Sequence, residues 1–251
     1  RWPSAVAFAA GQLAIFAYVR RRASFLAQVG AALLPVASAA VFFAYEGRAY
    51  ALLFASAPIA LWAWQRAVEQ SRQPLRLAVL LAALCLGPYS HYYGVLNFLP
   101  VLAGEALRSW RQRQVDWTVV AVIAAAGLLT LGLLVFARNA AGMQGNFWAA
   151  GFRAADLPGY YRGFLEYAGI TIYAVLAATI VLGAIGRGSP PQADRPAVPA
   201  YEIVAAMALA LTPLSAFLLA AIVTGALTSK YTITLVAGVA ILFGYLLEWV
   251  E

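Results

Sequence analysis

Apolar residues fill this chain in long runs, and the polar residues are confined to the gaps between them. Stretches without Asp, Glu, Lys or Arg cover Trp2–Val19, Ala23–Tyr45, Ala49–Gln65, Leu77–Gly104, Trp117–Ala137, Tyr167–Gly186, Ile203–Ser229 and Tyr231–Leu247. A membrane-crossing helix needs about 20 mostly apolar residues, and seven of the eight stretches each suit one helix. Leu77–Gly104 is interrupted by Gly87-Pro88-Tyr89-Ser90-His91-Tyr92-Tyr93. Proline removes a backbone donor and Gly-Pro favours a break. The stretch is therefore one long kinked helix or two short helices meeting at Gly87-Pro88.

The basic residues help to choose between these. With two helices, Arg20, Arg21, Arg22, Arg66, Arg72, Arg76, Arg108, Arg111, Arg113, Arg187 and Arg195 share one side, which is 11 of the 17 basic residues. Arg1, Arg48, Arg138, Arg153, Arg162 and Lys230 take the other side. A single helix gives 10 against 7. Cytoplasmic loops carry the excess of Lys and Arg, which favours the hairpin near residues 75–107. The predicted fold is all-α: a polytopic transmembrane bundle of about nine helices, forming one domain over residues 1–251. The linker-like stretch is Gly186–Pro199 and the longest outer loop is Arg138–Glu166.

Composition agrees with this pattern. The 251 residues are 64% hydrophobic and 11% charged, against about 25% charged in soluble domains. The formal charge of +7 belongs to helix-end arginines, so nucleic acid is not an expected partner. One cysteine, Cys85, and one histidine exclude an intrachain disulfide and a Cys/His zinc site. The phosphate-binding loop, dinucleotide, zinc-protease and serine-hydrolase motifs do not occur. No cofactor is evident, no metal ligand set is assigned, and a divalent metal requirement stays open.

The remaining chemistry gathers on the predicted outer side. Glu46, Arg48 and Tyr50 follow the second span, Tyr89, His91, Tyr92 and Tyr93 form the hairpin tip, and Lys230-Tyr231 join the last two spans. Arg grips phosphate oxygens through a two-pronged fork and Lys adds a point charge. Such residues at a membrane boundary suit an anionic lipid head group. The plainer interpretations are an interfacial Glu46–Arg48 pair, aromatic-belt tyrosines, a satisfied tip histidine and a snorkelling lysine.

The run Phe43-Ala44-Tyr45-Glu46-Gly47-Arg48-Ala49-Tyr50-Ala51-Leu52-Leu53 resembles the E-x-R-x-Y-x-L-L signature of GT-C-type membrane glycosyltransferases. These are polyprenyl-phosphate-sugar-dependent enzymes related to protein O-mannosyltransferases and the lipid A aminoarabinose transferase. Tyr89-Ser90-His91-Tyr92 resembles their Y-x-H-Y tip, and Thr228-Ser229-Lys230-Tyr231 their late R-Y pair with Lys in place of Arg. The resemblance implies a multi-pass cytoplasmic-membrane enzyme with its active face outside. It would move a hexosyl or pentosyl group from a polyprenyl-phosphate carrier to a lipid, glycan or protein acceptor.

Under that resemblance Arg48 and Lys230 stabilise the departing phosphate, and Glu46 orients Arg48 or contacts the acceptor. Tyr50, Tyr89, His91, Tyr92 and Tyr231 line the substrate pocket. The family's acceptor-activating acid lies in the first outer loop. This chain begins with Arg1 at the threshold of a helix, and the expectation is of a fragment lacking the first helices and that acid. Glu46 and His91 are then the weak candidates for a base, and the catalytic residue is unassigned. The rival reading is a secondary transporter or lipid flippase. The sequence argues against it, having no ionisable residue at mid-span and a single strong helix break, near Pro88.

Overall fold

The computed structural model describes residues 1–69, 73–133, 153–186 and 196–250. Among these residues every regular element is helical. The helices are α1 (Trp2–Val19), α2 (Phe25–Ala37), α3 (Phe42–Tyr45), α4 (Tyr50–Glu69), α5 (Pro74–Ser90), α6 (Phe98–Gln112) and α7 (Trp117–Leu131). They continue as α8 (Leu157–Leu165), α9 (Gly169–Gly186), α10 (Ala200–Ala210), α11 (Thr212–Leu219) and α12 (Leu235–Val250). Arg72, Arg138, Arg187 and Arg195, with Ser189-Pro190-Pro191-Gln192, lie outside the described residues.

Local chemistry sets the helix ends. The Ser24 hydroxyl accepts the Ala27 N–H at 3.0 Å and starts α2. The Asp116 carboxylate accepts from Thr118 and Val119 at 3.1 and 3.2 Å and starts α7. These side chains satisfy N–H groups that have no partner within their own helix.

The chain reverses between α5 and α6, so the two-helix reading holds, but the break is not at Gly87-Pro88. α5 runs through Pro88 and stops at His91, whose backbone is extended (φ −162°, ψ 138°). The turn over Tyr92–Asn97 is wound as a 3₁₀ helix. It fits because of Gly94: a Cβ there would stand 2.0 Å from the Gly87 carbonyl carbon. Gly94→Ala is therefore expected to destabilise the protein by about 1–3 kcal/mol through overpacking. Thermal unfolding of the two forms checks this; an unchanged midpoint would contradict the close approach.

α1 packs on α4, α4 on α5 and α5 on α7, while α6 packs on α10, α10 on α12 and α12 on α2. The interlock makes two chemically distinct ends. At one, Arg21 pairs with Glu69 at 2.5 Å, Arg22 with Glu202 at 2.7 Å, and the Trp64 indole donates to Glu105 at 2.9 Å. At the other lie Tyr50, His91, Tyr93 and Tyr231 in mutual ring contact. The basic residues Arg20, Arg21, Arg22, Arg66, Arg76 and Arg108 belong to the first end, and Arg48 and Lys230 to the second.

Among the described residues, one helix, α1, is long and apolar enough to cross a membrane. The number rises to three if each of two bent pairs counts as one span; α5, α7 and α12 are apolar but shorter. The bends correct the expectation of a single helix break. Residues Phe25–Ala37 and Ala39–Tyr45 meet at 65°, and Ala200–Ala210 and Thr212–Thr224 at 54°. Pro35 lies inside α2 just before its break, and Pro213 in the first turn after the second. Prolines at such points remove helix hydrogen bonds.

Candidate phosphate-binding site

The site grows from three chain segments that the fold brings to one end. Tyr50 opens α4, His91–Tyr93 follow α5, and Lys230-Tyr231 follow the turn after α11. The His91 ring lies 4.4 Å from both Tyr92 and Tyr231 and 5.8 Å from Tyr50, between ring centroids. The Lys230 ammonium stands 5.5 Å from the Tyr50 ring centroid, within range for a cation–π contact. Arg48 is exposed, with its charge within electrostatic reach of the Tyr50 hydroxyl.

Two expected members are elsewhere or differently engaged. Tyr89 sits in α5, is 63% exposed, and donates its hydroxyl to the Leu129 carbonyl at 3.1 Å, so it leaves the cluster for α7. Glu46 and Arg48 are both exposed and form no ion pair with each other. A pair of solvated charges gains too little to hold two long side chains together. The expected orientation of Arg48 by Glu46 is therefore not how the loop is held. Instead the Ser4 hydroxyl reaches the Arg48 backbone carbonyl at 3.4 Å.

His91 changes role. Its Nδ1 accepts the Tyr93 backbone N–H at 3.2 Å, which leaves the ring proton on Nε2. Burial, with Lys230 nearby, pushes its pKa down to about 4. The ring is then a neutral hydrogen-bond donor toward the site, and no lone pair is free to serve as a base. The sign follows directly. A histidine with its folded-state pKa below 6.5 favours folding above that value and loses the contribution as pH falls toward 4. His91 is the one histidine in the chain, so NMR of labelled imidazole reads it without overlap. The expected titration midpoint is near 4 with the Nε2–H tautomer at neutral pH; a midpoint near 6.5 would contradict the buried, capped ring.

Tyr93 was visible in the sequence as one more tip tyrosine, yet it is the residue that ties the site together. It is 1% exposed and stacks on Tyr231 at 4.9 Å. Its hydroxyl contacts Thr224 Oγ1 at 2.8 Å and donates to the Ala226 carbonyl at 2.6 Å. Burial pushes its pKa up to about 12, so it stays a donor. These bonds fasten the His91 turn to the turn at Gly225 (φ 63°) that leads to Lys230. Only long-range packing reveals this, because 131 residues separate Tyr93 from Thr224.

Two side chains beside the cluster carry unmet hydroxyls. The hydroxyls of Ser90 and Thr228 are buried without a hydrogen bond. An unmet buried hydroxyl costs about 1–3 kcal/mol, and each is adjacent in sequence to a site segment. On the other side, Tyr92 lines an apolar groove of about 330 Å³ with Pro88, Phe98, Leu102, Gly127 and Thr130. The groove runs between α6 and α7.

The expected long outer loop is partly helical. Asp156 accepts the Arg153 N–H at 2.9 Å, giving that carboxylate a defined local geometry. α8 follows, and its Phe164 ring packs 6.2 Å from Phe43 while the Tyr161 hydroxyl donates to the Ala210 carbonyl at 2.9 Å. α8 thus lies at the same end as the cluster. Among the described residues, no group of three His, Cys, Asp or Glu side chains could hold a metal ion.

The arrangement can hold a phosphate. Lys230 and Arg48 supply charge, His91 Nε2–H and the hydroxyls of Tyr50 and Tyr231 supply donors, and the groove at Tyr92 receives apolar matter. Comparison of the chain with protein-family models, curated proteins and solved structures finds no match.

Proposed function

We propose that the protein is a multi-pass membrane glycosyltransferase that takes a sugar from a polyprenyl-phosphate carrier. One observation carries this reading. The Lys230–Tyr50–His91–Tyr92–Tyr231 cluster, drawn from distant chain segments, adjoins an apolar groove through Tyr92. A ligand suited to both halves has an anionic head joined to a hydrocarbon chain. Lys230 and Arg48 would stabilise charge growing on the departing phosphate, and His91 Nε2–H would donate to it. Acceptor and sugar identity belong to the same proposal, with the active face at the cluster's end.

Membrane residence has its own support. Val6, Leu13, Leu128, Ile170 and Ile222 are each more than 60% exposed, and exposed large apolar residues in such number mark an apolar surrounding. The gathering of arginines at one end supports placing that end in the cytoplasm and the cluster outside, within a polytopic arrangement.

The two bent helix pairs favour a second reading, a transporter, since broken helices build solute sites. The polar groups at these breaks are spent on their own helices. The Ser38 hydroxyl donates to the Pro35 carbonyl at 2.9 Å, and the Thr212 hydroxyl to the Leu209 carbonyl at 2.5 Å. Neither break offers a charge.

The test uses the chain in nanodiscs loaded with a labelled polyprenyl-phosphate sugar. Polyprenyl phosphate should compete at least about tenfold more strongly than either the polyprenyl alcohol or a free sugar phosphate, because each lacks one half of the ligand. Equal competition by the alcohol would remove the phosphate site. Protein-dependent solute or lipid movement across sealed liposomes, without such competition, would favour the transporter.

A further inference from the structure

The arginine-rich end has a feature that the transfer reading does not use. Arg20 and Arg21 leave the end of α1, Arg66 lies in the last turn of α4, and Arg76 in the first turn of α5. The Arg76 guanidinium donates to the Arg66 carbonyl at 3.1 Å, which fixes α5 against α4. Arg21 reaches Glu69 on α4 at 2.5 Å. Arg66 is thus within electrostatic reach of Arg20, Arg21 and Arg76 together.

The carboxylates here do not balance this charge. Glu202 is fully buried and engaged by Arg22, Gln65 and Tyr245. Glu69 is shared between Arg21 and Arg22. Among the described residues, the guanidiniums of Arg20, Arg21, Arg22, Arg66 and Arg76 therefore face Glu69 and Glu202 across the ends of α1, α4 and α5, while the Glu248 carboxylate nearby accepts the Ser24 N–H.

We propose that this niche binds the phosphate of an anionic phospholipid. Apolar side chains border the cations: Leu75, next to Arg76, is 74% exposed, and Phe25, at the start of α2, is 72% exposed. A lipid satisfies both surfaces at once, with its phosphate among the guanidiniums and its glycerol and acyl region on Leu75 and Phe25. A soluble acidic partner would leave those apolar faces in water. The inference rests on the membrane reading but is independent of glycosyl transfer.

The experiment reconstitutes the chain in nanodiscs of phosphatidylcholine with a minor share of phosphatidylglycerol, then counts retained lipids by native mass spectrometry. The wild type should retain phosphatidylglycerol preferentially. A cation near an anionic leaflet contributes about 1 kcal/mol, roughly fivefold in occupancy. Arg66→Gln with Arg76→Gln should therefore lower the preference by more than about tenfold. Arg20→Gln, on an exposed side chain at the rim, should lower it by about fivefold and guards against misfolding of the double variant. Arg111→Gln with Arg113→Gln, at the end of α6 and outside the niche, should lower it by less than Arg20→Gln alone, and an equal or larger loss would overturn the proposal. Equal retention of both lipids by the wild type, or a preference unaffected by Arg20→Gln and the double variant, would overturn the proposal. So would displacement of the lipid by a soluble polyglutamate peptide or by inorganic phosphate. Failure of the wild type to insert in the nanodisc bilayer would overturn the membrane reading itself, and is distinct from insertion without lipid preference.

Discussion

Lys230→Ala should lower sugar transfer by roughly 10²–10³-fold, the usual cost of removing one preorganised group facing transition-state charge. The ammonium is held over Tyr50, and its turn is fastened through Tyr93 to Thr224 and Ala226. Lys230→Arg keeps the charge and adds a fork suited to phosphate, so it should retain or raise activity. Arg153→Ala removes an exposed charge and should change little. Single-turnover rates in nanodiscs separate the three. Equal losses for Lys230→Ala and Arg153→Ala would mean that Lys230 serves only as a general surface charge.

Arg22→Ala should destabilise the fold by about 3–5 kcal/mol, the cost of stranding a buried charge. The stranded group is Glu202, whose carboxylate receives Arg22 Nε at 3.1 Å, Arg22 Nη2 at 2.7 Å, Gln65 at 3.0 Å and the Tyr245 hydroxyl at 3.1 Å. The network joins the loop after α1 with α4, α10 and α12, fixing their register. Replacing both charges, Arg22→Met with Glu202→Leu, removes the desolvation cost with the attraction and should recover most of the stability. Urea unfolding of the single and double variants measures this. A double variant no more stable than Arg22→Ala would show that the loss comes from packing.

The helical class and the α5–α6 reversal were legible in the sequence because apolar run length and arginine placement report on them directly. The site of the reversal was displaced by three residues. Gly87-Pro88 is the stronger turn signal, but the chain turns where the His91 side chain caps the Tyr93 N–H, a contact that composition does not display. The two other breaks had visible signals in Pro35 and Pro213, masked by the unbroken apolar runs around them.

The site was legible in its cations and in most of its aromatic members. Tyr89 stands apart from the ring cluster because it lies inside α5 on a face turned toward α7, where its hydroxyl meets the Leu129 carbonyl. Tyr93 and the Arg22–Glu202 network could not be found by spacing, because partners 131 and 180 residues apart meet only through packing. For His91, considered as a base, the structure adds a bond from a backbone N–H two residues away to Nδ1, which no composition displays.

The most direct measurement of the proposed lipid-phosphate site is photocrosslinking with a diazirine-bearing polyprenyl phosphate in nanodiscs, followed by peptide mapping. The account predicts label on the segments Tyr92–Leu102 and Gly127–Leu131, which line the groove, with the yield sharply reduced in Lys230→Ala. Label spread over the exposed faces of α1 and α9, or groove labelling unaffected by Lys230→Ala, would contradict it.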